Sequence, residues 1–412
     1  MPVKRLWSNA GFRQLYIGRA ASMAGDMIVP VALAFGVLRL SDSPAALGIV
    51  LAAGVVPRVL FILVGGAVAD RLRPHRAMIW SDIVRAASQG AVALLLITDI
   101  AEVWHLVVLE AVYGTAAAFF NPASTAVVRF VVRDEDLQDA NAAMGLTRSI
   151  AGVAGPAIAG VLVAAAGPGV ALGLDALTFV VSALFLMRLP IPRTEQRLKL
   201  QDIRKDIAEG WREFTGRTWL WMTVAYFSLF HIFYLSGNHV LGPVIAERHL
   251  GGPKAWGFIL AMAGVGGVLG GVLGFRLQPK RRLLALVGCG FVWLPELILL
   301  AVVGPVWAIG LASLAGGVTM TYANVLWETV LQHHVPPESL ARVSAYDWLG
   351  SQLFYPLGLA LVGPVAEVFG TRSTLMMLAT GLLISTLVII SVPQIRRLRE
   401  KATTKTAVQL RG

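Results

Sequence analysis

The chain has 412 residues, of which 56% are hydrophobic and only 14% charged, and its formal net charge is +11. A soluble protein of this length needs far more polar surface to cover its core, so the composition excludes that class. The basic residues fall in alternate loops, a pattern that sets the orientation of a membrane protein and argues against nucleic acid as a partner.

The apolar residues form blocks of about 20, the length of helix that crosses the hydrocarbon core of a bilayer. We predict an all-α integral membrane protein with twelve transmembrane helices in two six-helix, pseudo-symmetric bundles. In chain order the spans lie near residues 14–38, 45–68, 77–98, 103–128, 140–165, 168–188, 218–240, 255–276, 283–303, 306–333, 341–366 and 371–392. The first run is too long for the h-region of a signal peptide, so we interpret it as an uncleaved span.

A charged segment, 190–217, separates an N-terminal bundle (1–189) from a C-terminal bundle (218–393), and a basic tail follows at 394–412. Apolar residues recur in this segment at helical spacing and predict an amphipathic linker helix on the membrane surface. They are Leu198, Leu200, Ile203, Ile207 and Trp211. Lys and Arg occupy the N-terminus, the linker, the tail and the loops after spans 2, 4 and 8. Both termini are therefore predicted to face the cytoplasm, with the chain in the cytoplasmic membrane.

The chain contains an internal repeat. The stretch GGAVADRLRPHR at 65–76 recurs as GGVLGFRLQPKR at 270–281, and the only acid of the first copy, Asp70, is replaced by Phe275. Asn121 and Asn324, in spans 4 and 10, are 203 positions apart. Two six-span halves in the same orientation form the parallel repeat that is typical of facilitator-type transporters.

The 65–76 stretch resembles the signature loop between spans 2 and 3 of the major facilitator superfamily. Gly25 with Asp26, residues 119–142 and residues 155–186 look like the drug- and siderophore-exporter branch, the group that contains the enterobactin exporter. The resemblance implies that Asp70 lies against the cytoplasmic end of span 11 as a charged latch, favoured by the helix dipole there. The other loop residues it assigns to this gate are Gly65, Gly66, Arg71, Arg76, Arg129 and Arg133.

Span 5 carries small residues and a proline along one helix and resembles the glycine–proline motif of facilitator antiporters. These residues are Gly152, Gly155, Pro156 and Gly160. Ordinary packing of small residues between helices is the alternative. The arginine that these exporters carry before Gln-Gly in span 4 is missing, and Glu110 lies in that span instead. The stretch RAASQG at 85–90 lies in span 3, where we interpret it as coincidence.

Charged residues inside the bilayer cost at least a few kcal/mol and are candidates for function by default. Asp26 lies near the middle of span 1, Arg58 at a similar depth in span 2, and Glu110 in span 4. Two carboxylates and an arginine that face one cavity would form a protonation switch, as a proton antiporter needs. The alternative is a static structural pair between Arg58 and Asp26. His231 in span 7 is predicted either to shuttle protons or to hydrogen-bond a neighbour.

Other intramembrane charges are weaker candidates. Glu296 lies in span 9, which usually faces lipid or scaffold in this fold, and Asp175 is placed near the outer end of span 6 in a capping or packing role. Residues near the cytoplasmic ends are expected to form gate pairs between helices. They are Asp82, Arg85, Arg148, Glu328 and Asp347.

Aromatic and amide residues on spans 4, 7, 10 and 11 are predicted to line a cavity that suits a large amphipathic ligand. Helix-on-helix packing of the aromatic rings is the alternative. The cavity candidates are Tyr113, Phe119, Phe120, Asn121, Tyr226, Phe230, Tyr234, Asn238, Tyr322, Asn324, Trp327 and Tyr355.

The sequence thus predicts a secondary active transporter, a monomer whose partners are a small-molecule substrate, protons and the lipid bilayer. The first hypothesis is proton-driven export of amphipathic compounds, either drugs or a secondary metabolite such as a siderophore. A proton-coupled nutrient importer and, more remotely, a membrane-integral enzyme are the alternatives. The sequence lacks HExxH, GxSxG and GxxxxGK[ST], and no pattern in it indicates a metal or an organic cofactor. Its single cysteine, Cys289, excludes an internal disulfide.

Overall fold

The computed structural model of the protein describes residues 6–71, 74–189 and 203–398, and the side chains of 62–71, 121, 126, 129, 203–208, 341 and 397 lie outside this description. The described residues form helices joined by short connections, without a strand. They include twelve segments long and apolar enough to cross a membrane, which confirms the predicted fold class. These are Ala10–Leu40, Pro44–Phe61, Pro74–Ile97, Val103–Thr125, Asp134–Ala166, Pro168–Met187, Thr218–Leu250, Pro253–Arg276, Arg282–Ala301, Val306–His334, Pro337–Phe369 and Thr371–Ser391. We number them as spans 1 to 12.

The two halves repeat the same packing. In the N-terminal bundle span 2 packs against span 4, and span 3 packs against spans 4 and 6. In the C-terminal bundle span 8 packs against span 10, and span 9 packs against spans 10 and 12. The halves meet mainly along two lines, where span 5 contacts span 8 and span 2 contacts span 11, and smaller contacts join span 7 to spans 1 and 2 and span 8 to span 1. Spans 5 and 11, like spans 2 and 8, occupy the same place in their own half, so the two lines of contact are copies of each other.

We call these two lines of contact the outer seam, defined by Pro156 and Gly160 against Pro253 and Gly257, and by Leu359 and Gly363 against Pro44 and Gly48. In each line a glycine lies against a backbone carbonyl of the other half. Gly257 faces the carbonyl of Pro156, and Gly48 faces the carbonyl of Leu359, with no room for a Cβ at either glycine. The partners repeat in register, since Pro156 and Leu359 are 203 positions apart, as are Gly160 and Gly363. Close approach of backbones through small residues is the usual way in which membrane helices pack tightly.

Polar contacts close the outer seam at the end opposite the chain termini. The hydroxyl of Ser43 and, at 3.4 Å, the backbone N–H of Ala45 donate to the Glu367 carboxylate. Glu367 belongs to span 11, so a side chain of the C-terminal bundle satisfies the first N–H group of span 2, that of Ala45. Arg248 also reaches across, and its guanidinium donates to the backbone carbonyl of Asp42 at 2.5 Å.

Four of the described spans are irregular, and each of the four contains a proline within or after its irregular stretch. Span 1 breaks at residues 27–28, because Pro30 lacks the N–H that would bond the carbonyl of Asp26. Span 9 tightens into a 3₁₀ segment, Cys289–Trp293, just before Pro295. Span 11 breaks at residues 353–354 before Pro356. Span 7 widens into π-helical segments at His231–Leu235, Gly237–Leu241 and Ala246–Leu250, with Pro243 between the last two. Broken helices and π segments recur at binding sites in membrane transporters.

The linker helix, described as Ile203–Thr215, lies on the N-terminal part of span 11, Pro337–Gln352. Gly210 packs against Tyr346, and the ring of Trp211 lies 5.6 Å from that of Tyr346. Arg342 forms an ion pair with Glu209 at 3.6 Å. Within the predicted linker segment Ile203–Thr215 is helical, while Leu198 and Leu200 lie outside the described residues, and its place on the membrane surface stays a prediction.

Candidate functional site

Asp26 is the last residue before the break in span 1, at the centre of the N-terminal bundle. Its Oδ1 accepts a hydrogen bond from the hydroxyl of Tyr113 in span 4 at 2.9 Å and lies 3.7 Å from Nη1 of Arg85 in span 3. The Asp26 side chain is 31% exposed, whereas that of Arg85 is 4% exposed. The Asp26 carboxylate therefore contacts a buried guanidinium on one side and faces open space on the other.

Arg85 is held from several directions. Its Nη2 donates to Asp82 Oδ1 at 2.5 Å, and its guanidinium lies between two aromatic rings, 4.3 Å from the centre of Phe120 and 4.2 Å from that of Phe179. A guanidinium stacks well on aromatic faces and keeps its charge when buried. Arg85 is thus a fixed positive charge, and the carboxylates around it are the groups whose protonation can change.

Asp175 of span 6 is a third carboxylate in this cluster. It is fully buried, and neither of its carboxylate oxygens has a hydrogen-bond partner among the described residues. It acts electrostatically on both Asp26 and Arg85. The carboxylate lies against Gly25, where a Cβ would clash with Asp175 and with the hydroxyl of Thr178. This contact explains in physical terms why glycine precedes Asp26.

We call Asp26, Asp82, Arg85, Tyr113 and Asp175 the aspartate cluster. It holds three carboxylates and one guanidinium. Such a buried site does not sustain two uncompensated negative charges, because each would cost several kcal/mol. Exchange of protons is the chemistry open to it.

Arg58 lies beside this cluster but does not form the ion pair that the sequence suggested. Its side chain is exposed, and its charge acts on Asp26 in span 1 and on Tyr355 in span 11. The prediction of a static Arg58–Asp26 pair is wrong in its partner, because Arg85 forms the pair with Asp26. Arg58 instead lies between the two bundles, where its charge acts on groups of both.

Glu110 forms a second, smaller contact in the same bundle. It is 4% exposed, accepts a hydrogen bond from Gln89 Nε2 at 3.1 Å, and packs beside Gly54 of span 2. No hydrogen bond joins Glu110 to Asp26 within the described part of the chain. The two carboxylates are therefore separate groups in one bundle.

Two placements made from the sequence are corrected by the structure. Arg85 was expected in a gate pair at the cytoplasmic end, but it is the central cation of the aspartate cluster. The stretch 85–90, interpreted as coincidence, supplies both Arg85 and the Gln89 that bonds Glu110. Asp175 was expected to cap the outer end of span 6, yet it lies two turns inside the helix Pro168–Met187. The missed signal was an acid and an arginine three residues apart, Asp82 and Arg85, in an otherwise apolar helix.

Glu296 is also corrected, because it faces the interior of the C-terminal bundle rather than lipid. It is 2% exposed and accepts hydrogen bonds from Tyr234, Asn238 and Ser313. The 3₁₀ segment before Pro295 changes the direction in which the following turn faces, which a regular helix would not predict.

Most of the proposed cavity aromatics pack between helices in this conformation. Tyr226 bonds Thr386 of span 12, and the rings of Phe230 and Tyr234 pack on Trp293 of span 9. The buried members of the set are Phe120, Tyr226, Phe230, Tyr234, Asn238, Trp327 and Tyr355. The packing alternative, which concerns aromatic rings, therefore fits the six aromatic residues of this group in this conformation, while Asn238 bonds Glu296. Tyr113 and Tyr322 are half-buried, and Asn324 is exposed.

Two of the three histidines of span 7, His231 and His239, differ in their partners. His231 Nδ1 lies 2.6 Å from the carbonyl of Phe227, which supports the hydrogen-bond alternative for this residue. His239 Nδ1 lies 2.6 Å from the hydroxyl of Tyr355 in span 11. The sequence did not single out His239.

The gate residues are described only in part. The surroundings of Gly65 and Gly66 and the side chains of Asp70, Arg71 and Arg129 lie outside the described residues, so the latch stays a prediction. The side chain of Asn121, a cavity candidate, also lies outside them. Arg76 is exposed, and Arg133 forms ion pairs with Glu135 at 3.3 Å and with Asp136 at 3.5 Å. Asp347 accepts a hydrogen bond from Nε1 of Trp327 at 2.9 Å, within the same bundle. Arg148 and Glu328 are exposed.

A crevice of about 520 Å³ lies between spans 1, 5 and 6. Its walls are almost entirely apolar, and its floor includes Gly25 and Thr178, which border Asp175. Gly155 of the span 5 motif also lines it and packs against Met27, the residue at which span 1 breaks. The small residues of span 5 thus contact both the break in span 1 and, through Pro156, the outer seam.

Two repeated six-helix bundles around a charged break in span 1 define a polytopic membrane transporter of the major facilitator fold. Solved structures agree: a nucleoside transporter NupG mutant matches with a TM-score of 0.76 at 14% identity over 92% of this chain and 98% of its own. A bacterial homologue of the iron transporter ferroportin in its inward-facing state gives 0.70 at 16% identity, over 92% and 97%.

The chain belongs to the family described as transmembrane secretion effector, whose sequence profile matches residues 6–409. The multidrug efflux pump Tap of Mycolicibacterium fortuitum is 28% identical over 91% of this chain and 94% of its own length. Macrolide efflux protein A of Streptococcus pyogenes is 21% identical over 94% and 97%. The family and these relatives are membrane transporters, which sets aside the enzyme alternative.

Proposed function

We propose that the protein exports amphipathic small molecules, drugs or a secondary metabolite, across the cytoplasmic membrane in exchange for protons. The names of its relatives, a multidrug and a macrolide efflux pump, support this substrate class and direction. The alternate arrangement of basic loops supports a cytoplasmic location for both termini.

The observation that carries the proposal is the position of Asp26. It is the partly exposed carboxylate of a cluster with more acids than cations, and it lies where span 1 is broken. Substrate or water in the space between the bundles can reach Asp26 while Arg85 stays buried. A proton taken up by Asp26 weakens its ion pair with Arg85, so proton occupancy and the position of span 1 are linked.

Alternating access is supported by the outer seam. The bundles are joined at the end that carries loops 41–43 and 251–252, and the basic residues of the opposite loops favour an extracellular position for this end. A seam closed on that side supports a conformation that receives its substrate from the cytoplasm. Release outside requires the seam to part and a second seal to form at the loop that carries Asp70.

Asp26→Asn in everted membrane vesicles tests the proposal. Amphipathic drugs and siderophores added to acidified wild-type vesicles are expected to drive protons out of the lumen, because each substrate molecule that enters exchanges for protons. Asp26→Asn removes the titrating group and is expected to abolish this proton release while substrate binding persists. Asp99→Asn, an exposed loop acid, is the matched control and is expected to behave as wild type.

Proton movement in the same direction as substrate would instead identify a symporter. Normal coupled exchange by Asp26→Asn would place the coupling group elsewhere. A panel of substrates that moves no protons in the wild type would remove the main support for export by antiport.

A further inference from the structure

Glu296 in the C-terminal bundle lies apart from the aspartate cluster. Its Oε1 accepts hydrogen bonds from Asn238 Nδ2 at 2.8 Å and from the hydroxyl of Ser313, and its Oε2 accepts one from the hydroxyl of Tyr234 at 2.5 Å. Three donors from spans 7 and 10 thus converge on one carboxyl group of span 9. The side chain is 2% exposed, so these contacts replace water.

No cation accompanies this carboxylate in the part of the chain that the structure describes. Its contacts are the three uncharged donors, of which Tyr234 is the only titratable one. Span 12 also packs against span 9, and its only charged residue, Arg372, lies in its first turn. A buried carboxylate without a cation is stabilised either by hydrogen bonds to its charged form or by binding a proton.

The N-terminal bundle contains a similar contact between its third and fourth spans, but there the carboxylate lies on the fourth span and the donor on the third. Ser313 lies 203 positions after Glu110, in the repeat register of spans 4 and 10. In the N-terminal bundle the span 3 amide of Gln89 donates to Glu110, and in the C-terminal bundle the carboxylate lies on span 9 and the donor, Ser313, on span 10. Both halves therefore bury one carboxylate between their third and fourth spans.

The donors from span 7 belong to its widened stretch. Tyr234 lies in the π segment His231–Leu235 and Asn238 in the next, Gly237–Leu241. Val240, in the second segment, is fully buried and faces Gly48 of span 2, on the outer seam. Glu296 therefore fixes the part of span 7 that packs against the other bundle.

We propose that Glu296 is a second proton-binding site, and that proton binding there loosens span 7 at the outer seam. When Glu296 is ionised, its two oxygens satisfy all three donors. When a proton binds Oε2, the new O–H donates to the hydroxyl oxygen of Tyr234, and the Tyr234 hydroxyl hydrogen loses its acceptor. One of the two bonds that hold span 7 to span 9 is then weakened, and the outer seam opens more readily.

Proton binding is measured on purified, substrate-free, full-length protein by infrared difference spectroscopy between acidic and alkaline pH. Wild type is expected to give the carbonyl band of a protonated carboxyl group in a dry environment, and Glu296→Gln is expected to lose one component of that band. Glu338→Gln, an exposed acid in the first turn of span 11, is the matched control and should leave the band unchanged. An unchanged band in Glu296→Gln would overturn the proposal.

The effect on the seam is measured with Val240→Cys in a Cys289→Ser background. The rate at which a maleimide labels the new thiol in detergent reports how often this part of the seam opens. The labelling rate, normalised at each pH to that of the unfolded protein, is expected to rise in wild type as the pH falls. In Glu296→Gln, which resembles the protonated acid, it should be higher by roughly ten- to a hundredfold and independent of pH, a change equivalent to about 1.4–2.8 kcal/mol.

Tyr234→Phe provides a second variant that leaves the carboxyl group in place. It should raise labelling while keeping the infrared component of Glu296. Labelling in both variants that matches wild type at every pH would show that Glu296 does not govern the seam. The consequence for transport rests on the proposed function, but neither readout uses a substrate, so failure of the export proposal and failure of this one are distinguishable.

Discussion

Gly160→Ala places one methyl group in the outer seam. A Cβ at this position would lie 2.6 Å from the carbonyl oxygen of Pro253 and 3.1 Å from Cα of Gly257. Ordinary C···O contacts begin at about 3.3 Å, so spans 5 and 8 have to move apart by roughly 0.7 Å (3.3 − 2.6) where the seam is closed. The neighbours are backbone atoms, which cannot rotate out of the way.

The cost of this overlap applies to the closed seam alone. Overpacking by a methyl group typically costs about 1–3 kcal/mol. The gain from Ala over Gly in a helix, up to about 1 kcal/mol, applies to both conformations and cancels from their equilibrium. Gly160→Ala is therefore expected to shift the equilibrium away from the closed seam by a factor of roughly 5–150.

Double electron–electron resonance measures this shift as a change in the distance between two spin labels. The labels are attached at Ala165→Cys and Lys254→Cys, two exposed positions at the outer ends of spans 5 and 8, in a Cys289→Ser background. Gly160→Ala is expected to add a longer distance to the distribution. Gly152→Ala is the matched control on the same helix, because a Cβ there meets nothing within 4 Å. Identical distributions for Gly160→Ala and Gly152→Ala would refute the seam as described.

Two further substitutions test other contacts. Gly25→Ala is expected to push span 1 away from Thr178, to destabilise the protein by about 1–3 kcal/mol in thermal unfolding and to abolish transport. Gly90→Ala is the control and should be tolerated, because its Cβ would meet its neighbour at 3.8 Å. Glu367→Gln keeps an acceptor for Ser43 but removes the negative charge at the start of span 2, which stabilises the closed seam by about 0.3–1 kcal/mol. The spin-label distances should therefore lengthen slightly. A distribution identical to wild type would show that the rim contact does not help to close the seam.

The spans and the repeat could be predicted because each is visible in the sequence without knowledge of the packing. Twenty apolar residues in a row satisfy the bilayer wherever they occur, and the recurrence of 65–76 at 270–281 needs no knowledge of packing. Asp26 and Glu110 were found in the same way, because a charge in an apolar run is conspicuous.

The partners of those charges depend on how each helix is rotated about its axis. Arg58 and Arg85 are both arginines within apolar helices, and the sequence does not state that span 3 turns Arg85 toward Asp26. Glu296 was misplaced because the 3₁₀ segment Cys289–Trp293 redirects the turn that follows it. Pro295 was the available signal, since a proline disturbs the helix on its N-terminal side.

The outer seam is held mainly by contact between uncharged backbones. Gly48 and Gly257 lie against carbonyl groups, and the attraction between such surfaces is dispersion, which dissolved ions do not screen. Among the described contacts of the seam, the polar ones at its rim, Ser43 with Glu367 and Arg248 with Asp42, are exposed to the surrounding electrolyte. The seam therefore keeps most of its strength across changes of salinity, and control over it is left to groups buried inside the bundles.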